Sequence, residues 1–320
     1  LKGMGEEIKR LLPDRFLERK AALVDHLAKH PEFLRLKNQY PEFVDLNRDI
    51  SSLGNHISCF DHCQSCPGLN GCLNEFPGHS SHEEASEKQK SLVFRLRKCS
   101  KLLANEKRIA NQSRIKSHNI PAHIVESTFE DLERDQSRRV AIAECINFCL
   151  GFEKGITYKG LYLHGSLGVG KSRVAGAIAN ELAGMGVDVL MVYVPDYLGE
   201  VKDSIATNDV QAKVDALKSV DVLILDDIGA ETLSSWTRDE IMGPILQNRM
   251  ETKSTIYTSN LSMKELYNHF LNVRDSKGPI DLKQRELKAT RIMDRIEPFV
   301  KVLHVGGRNR RRDTSHNTGG

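Results

Sequence analysis

The segment Gly165-Ser166-Leu167-Gly168-Val169-Gly170-Lys171-Ser172 has the spacing G-x-x-x-x-G-K-[ST]. Glycines at these positions let a loop wrap so that successive backbone N–H groups point inward at phosphate oxygens, and a helix starting at its end adds partial positive charge. Lys171 is then placed to neutralise the β and γ phosphates of ATP, and Ser172 to put its hydroxyl on Mg²⁺. The competing reading is a chance glycine-rich turn, which the strand before the loop and the helix after it disfavour. A dinucleotide-binding loop would need a glycine where Arg173 stands. Downstream, the apolar run Val222-Leu223-Ile224-Leu225 ends in Asp226-Asp227. A parallel strand delivers its C-terminal end to the sheet edge that carries the phosphate loop, so Asp226 can order Mg²⁺ and Asp227 can orient an attacking water. Taken alone, paired acids there could be an ordinary polar strand exit. Asp227 is one methylene shorter than a glutamate, which predicts slow basal hydrolysis. Asn260 ends the strand Thr255-Ile256-Tyr257-Thr258, where it can sense the γ phosphate. Arg291 and Arg295 lie four residues apart on one helical face, suited to a transition-state clamp reaching a neighbouring subunit, although such a pair is commonly a solvated face.

A second chemistry lies upstream. Cys63-Gln64-Ser65-Cys66 has C-x₂-C spacing, a loop in which two thiolates reach one tetrahedral ion, and zinc is the default metal. Cys72 and His79 complete a Cys₃His set, with Cys99 as the leading substitute and Cys59, His62 and His82 as further rivals. A structural zinc is expected rather than a catalytic one, because no glutamate stands at a general-base spacing. Reduced surface cysteines in a loose loop are the alternative, but a stretch so poor in apolar residues needs a staple.

These residues must be held by folded elements. The chain has 320 residues with 46 Lys and Arg against 43 Asp and Glu, 39% hydrophobic and 28% charged, which predicts a soluble globular protein of two domains. No run approaches the length of a membrane-spanning helix and no signal-peptide core is found in the first 20 residues, so a cytoplasmic location is expected. The near-neutral charge argues against a surface built throughout to grip nucleic acid, with Arg308 to Arg312 as a local basic patch. Residues 1–110 read as a small, mainly helical, zinc-binding domain, with helix-favouring composition from Glu83 to Lys116. Asn119-Ile120-Pro121 disfavours helix and marks a linker over 111–125. Over 126–312 short apolar strands at 160–164, 187–194, 220–225, 254–258 and 299–305 alternate with helices, the pattern of an α/β domain with a parallel five-stranded sheet covered on both faces. Residues 313–320 read as a disordered tail.

The phosphate loop, Leu225-Asp226-Asp227-Ile228-Gly229-Ala230-Glu231, Ser234-Ser235-Trp236, Arg238-Asp239-Glu240, Thr258-Ser259-Asn260 and Ala289-Thr290-Arg291-Ile292-Met293-Asp294-Arg295-Ile296 together resemble the bacterial AAA+ replicative-helicase loaders over roughly residues 120–312, and more loosely in the cysteine-bearing part. The resemblance implies an AAA+ ATPase that binds a hexameric replicative helicase of the DnaB family and delivers it onto single-stranded DNA, which it grips weakly. It also implies self-assembly on the helicase ring and contacts with other primosome proteins. Arg295 matches the loaders' arginine finger, Asn260 their sensor asparagine, and Arg310 or Arg311 the place of a second sensor arginine. Two rival functions are a nucleotide-gated binding switch with little turnover and a transposon-type AAA+ ATPase.

Overall fold

The computed structural model describes residues 14–133, 135–273 and 282–310. The chain divides into two compact units, residues 1–107 and 108–320.

The first unit opens with helices α1 (Asp14–Ala28), α2 (Pro31–Gln39) and α3 (Ile50–Gln64). Pro31 starts α2 in its first turn, where a missing N–H costs nothing, and the His30 side chain caps the helix by accepting from the Glu32 N–H. The core is small: Leu27, Phe33, Leu36, Val44, Leu53 and Ile57, with Leu92 from the hairpin. The hairpin is β1 (His79–Ser86) paired antiparallel with β2 (Ser91–Lys98), followed by helix α4 (Ser100–Ser113). The hairpin occupies the first part of the helix-favouring stretch Glu83 to Lys116, and α4 the second. Along β2, Leu92, Phe94 and Leu96 alternate with Val93, Arg95 and Arg97, a period of two, and the charges that favoured helix instead pair across strands, Glu84 with Arg95 and Arg97 at 2.7 Å each. Buried polar groups tie hairpin to helices. Glu32 accepts from Arg35 (2.6 Å) and meets His56 (3.1 Å), while Arg35 also reaches Glu83 (2.7 Å). Burial raises the Glu32 carboxyl, but Arg35 and His56 overcome this and hold it below the usual carboxylate range.

In the second unit, β3 (Ile115–His118) and the short helix α5 (Ala122–Val125) precede α6 (Arg139–Leu150), β4 (Gly160–His164) and α7 (Lys171–Gly184). Then come β5 (Val189–Tyr193), α8 (Val194–Asp203), α9 (Val210–Ser219) and β6 (Val222–Asp226). A π-helical turn (Thr237–Met242), α10 (Gly243–Arg249), β7 (Thr255–Ser259), α11 (Met263–Leu271), α12 (Leu282–Met293) and β8 (Val300–His304) complete it. The strands form one parallel sheet in the order β3-β5-β6-β7-β4-β8. Apolar clusters on both of its faces form the core, one around Val192, Leu225 and Ile245, the other around Leu161, Ile178 and Ile224.

The sheet has six strands rather than five, and the additional one falls within the expected linker 111–125. β3 buries only Ile115 and is otherwise exposed, so no apolar run announces it; its place comes from backbone pairing with β5, Ile115 opposite Val189 through His118 opposite Val192. Asn119, in the left-handed region at φ 57°, ends the strand. The tail 313–320 and the residues Arg311 and Arg312 lie outside the described residues. Among those described, no helix is long and apolar enough to cross a membrane.

Arg249 is a buried structural cation. It lies at the end of α10 and donates to the carbonyls of Leu217 (2.9 Å), Val220 (2.8 Å), Asp221 (3.2 Å) and Ser254 (2.6 Å) and to Thr255 Oγ1 (2.9 Å). Arg249 and Lys253, which bonds the Lys218 (3.1 Å) and Ser219 carbonyls, together satisfy the C-terminal end of α9 and fasten it to the start of β6 and β7.

Candidate functional site

The phosphate loop runs from the end of β4 to the start of α7, as its spacing requires. Gly168 (φ 78°) and Gly170 (φ 94°) hold left-handed conformations that a side chain would strain, and a Cβ on Gly168 would meet Asn309 Oδ1 at 2.0 Å. The loop is therefore walled by the segment after β8 and open on its other side. It borders a cleft of about 510 Å³ whose lining includes Leu167, Gly170, Lys171, Ser172, Asp226, Asp227 and Asn260. Ile120, Pro121 and Ile124 add an apolar stretch to the same lining, the complement that a flat heterocycle needs beside a phosphate cradle.

Lys171 is buried, with 7% of its surface exposed. Its Nζ donates to Gly165 O (2.9 Å), Ser166 O (3.0 Å) and Asn260 Oδ1 (2.7 Å). The amide of Asn260 in turn donates to Asp227 Oδ1 (2.8 Å). A single side chain from the end of β7 thus joins the lysine of the loop to the second acid of β6. Asp226 is 4% exposed, and burial pushes its carboxyl above the usual range; Thr258 and Ser172 oppose this by hydrogen bonding, Asp227 adds to it and Lys171 opposes it by charge. Ser172 and Asp226 therefore bring a hydroxyl and a carboxylate together at the mouth of the loop. Hard oxygen donors with an adjacent phosphate cradle fit Mg²⁺, which is held in such sites by one or two carboxylates plus phosphates.

Ser166, Leu167 and Val169 contribute to the loop in different ways. The backbone of Ser166 receives the lysine, and Leu167 is exposed beside the cleft. Val169 points into the core, and its carbonyl accepts from both Arg138 Nη1 (3.1 Å) and Arg310 Nη1. Arg310 also pairs with Glu133 (2.9 Å) and lines the cleft. Of the two arginines weighed for that place, only Arg310 lies among the described residues. Arg138 is a site neighbour that sequence reasoning missed. It is buried just before α6 and also donates to Glu133 O, and burial together with nearby Arg310 pushes its guanidinium below its ordinary value. Its only sequence signal is a doubled arginine at a helix start, which reads as surface.

Arg295 stands apart from the others. Its Nε donates to Gln247 Oε1 (2.8 Å), and it borders a separate hollow with Tyr158, Phe299 and Val300.

In the first unit, the proposed zinc residues are only partly gathered. Cys63 lies on α3 one turn after Cys59, whose thiol it faces, with Cys72 close enough to act on the same thiol by charge. Each sulfur receives a hydrogen bond: Cys59 from Ser81 N (3.3 Å), Cys63 from Asn74 Nδ2 (3.4 Å) and Cys72 from Gly78 N (3.4 Å). A backbone bond from Gly68, with Lys101 nearby, lowers the Cys66 thiol. Such donors to sulfur suit thiolate ligands. His79 instead turns its Nδ1 to Pro77 O (3.2 Å), and Cys99 meets Gly78 O through its backbone N–H (2.8 Å). Among the described residues, no three of these Cys and His side chains bring their ligand atoms within 4.8 Å of one another. The donor chemistry fits zinc, while Cys59 competes with His79 for a place in the set.

Residues 78–318 match the family of IstB-like ATP binding proteins. The replicative helicase loader DnaI of Bacillus subtilis is 31% identical over 304 residues, covering 93% of this chain and 95% of that protein. A crystal structure of DnaI is similar to 62% of this chain and 98% of its own, at 40% identity and a TM-score of 0.53. A candidate primosome component from Streptococcus pyogenes serotype M3 is similar to 64% of this chain and 99% of its own, at 31% identity and a TM-score of 0.51.

Proposed function

From the premise that this chain belongs to the IstB-like ATP binding proteins and to the DnaI-type replicative helicase loaders, we propose that it hydrolyses ATP to deliver a ring-shaped replicative helicase onto single-stranded DNA. The observation that carries this reading is the continuous link Lys171–Asn260–Asp227 beside the Ser172 and Asp226 pair, all on the rim of one cleft.

In this reading the loop amides of Gly165 to Ser172 and the Lys171 ammonium hold the β and γ phosphates, and Arg310 reaches them from the segment after β8. Ser172 and Asp226 would hold magnesium, which would supply positive charge to offset that of the phosphates. Asp227 orients a water and accepts its hydrogen as the water oxygen bonds to the γ phosphorus, while the bond to the β,γ-bridging oxygen breaks and ADP departs. Asn260 keeps Asp227 and Lys171 in one frame, so the γ phosphate and the water are positioned together. Arg295 acts on the site of a neighbouring subunit assembled on the helicase ring. The first unit docks the helicase, alongside other primosome proteins, and the second carries ATP and a weak, salt-dependent hold on DNA through its basic end.

The switch reading has one point in its favour. Lys171 and Asp227 are already engaged with loop carbonyls and Asn260, so phosphate must displace existing bonds before turnover. Steady-state ATPase separates the two readings. A loader retains the replicative helicase on an affinity resin and shows turnover stimulated by helicase with single-stranded DNA, whereas binding without stimulated turnover leaves only the switch. Retention of the helicase by residues 108–320 alone would overturn the docking role of the first unit. The transposon-type reading predicts no helicase retention by either part.

The zinc proposal is tested on the intact chain. Elemental analysis is expected to return one zinc per chain, lost in Cys63→Ser and in Cys66→Ser with a lowered melting temperature of the first unit. Loss in Cys59→Ser with retention in His79→Ala assigns the ligands around α3; an unmodified chain without zinc removes the proposal.

A further inference from the structure

We infer that Thr258 is a positioning residue that sets the two acids of the ATP site, so that the affinity for magnesium-bound nucleotide depends on its hydroxyl. The inference rests on the ATPase reading above and adds to it a residue whose hydroxyl is engaged by the two acids themselves.

The pairing of β6 with β7 runs from Leu223 opposite Thr255 to Leu225 opposite Tyr257. One step further, where Asp226 would face Thr258, side chains replace the ladder. The Thr258 hydroxyl donates to Asp226 Oδ1 (2.6 Å) and accepts from the Asp227 N–H (2.9 Å), and the Thr258 carbonyl accepts from the Ile228 N–H (2.9 Å). Ser259 continues the arrangement by donating to Ile228 O (2.5 Å). Asp227 is thereby held at φ 60°, a left-handed conformation that costs a non-glycine residue free energy and persists only when its surroundings impose it.

A hydroxyl has one proton to give. Here it goes to Oδ1 of the buried Asp226 carboxylate, which also bonds the Ser172 side chain and is thereby held in one orientation. The lone pair of the same hydroxyl fixes the backbone of the next acid, and hence where the Asp227 side chain points. Thr258 is itself 1% exposed and does not compete with water for these bonds. Valine has the same shape without either bond. It removes the donor to Asp226 and the acceptor of the Asp227 N–H, whereas serine keeps both.

The test titrates Mg²⁺ against binding of a fluorescent ATP analogue to the full chain and follows hydrolysis separately. In Thr258→Val, magnesium-free nucleotide affinity is expected to stay as in the unmodified chain, while the Mg²⁺ concentration for half of the magnesium-dependent response rises about tenfold, the effect of one lost hydrogen bond to a charged group. Hydrolysis falls with it, and Thr258→Ser restores both. If the valine variant does not fold, Thr258→Ala carries the same titration. A folded variant with an unchanged Mg²⁺ requirement overturns the inference, as does a serine variant no better than valine. An unmodified chain whose nucleotide binding ignores Mg²⁺ overturns the ATPase reading itself, and the inference with it.

Discussion

Replacing Lys171 by alanine is expected to weaken ATP binding by about a hundredfold or more, since charge-assisted bonds to two phosphate groups are lost and each is worth about 1.5–3 kcal/mol. The chain should remain folded. Lys171 lies at the start of α7, and its ammonium bonds to loop carbonyls and Asn260, acceptors that water in the open cleft can reach once it is removed. Calorimetric binding of ATP with a melting curve on the same sample measures both. Asp226→Asn is the companion variant: the fold persists, and the response to Mg²⁺ is lost while magnesium-free binding survives. A folded Lys171→Ala chain that binds ATP as tightly as the unmodified one would remove the phosphate-loop assignment.

Arg295→Ala is expected to keep ATP affinity but to lower turnover in the assembled state by about a thousandfold, the lower end of what a guanidinium clamp contributes to phosphoryl transfer. Arg295 follows α12 and borders a hollow that shares no lining residue with the ATP cleft, as expected of a side chain that serves a neighbouring subunit. Its bond to Gln247 holds the side chain half-buried rather than extended. Mixing Arg295→Ala with Lys171→Ala supplies an intact cleft on one subunit and an intact arginine on its neighbour. Partial recovery of hydrolysis on mixing is the expected outcome. No recovery at any ratio, with assembly confirmed, assigns Arg295 a structural role.

Much of the second unit was legible because a parallel strand covered on both faces needs an almost unbroken apolar run, and Leu161-Tyr162-Leu163, Val189-Leu190-Met191-Val192 and Val222-Leu223-Ile224-Leu225 are such runs. The phosphate loop was legible because its function depends on spacing. β3 was not, since an edge strand held by backbone bonds leaves little mark on side chains. Nor was the hairpin, whose alternating residues lie among charges that also favour helix. Thr258 and Arg138 escaped for another reason: both work by contacts with residues 31 or 32 positions away, and the types involved, a threonine in a strand and an arginine before a helix, are ordinary where they stand. The cysteine pair at 63 and 66 was visible from its spacing, whereas the approach of Cys59 to Cys63 depends on α3 placing it one turn earlier.

β4, the strand that leads into the phosphate loop, pairs on one side with β7 and on the other with β8. Both partners come later in the chain, β7 about 90 residues after β4 ends and β8 starting at Val300. Val305 N then donates to His164 O (2.7 Å), and the Val305 carbonyl backs Gly165 so closely that a Cβ there would approach to 2.2 Å. During synthesis, the loop emerges from the ribosome long before the strands that brace it, and pairing so distant in sequence is slow to form. A nascent chain halted before residue 300 therefore carries the complete nucleotide motif braced only on its β7 side, with the β8 pairing and the Val305 backing of Gly165 still to come.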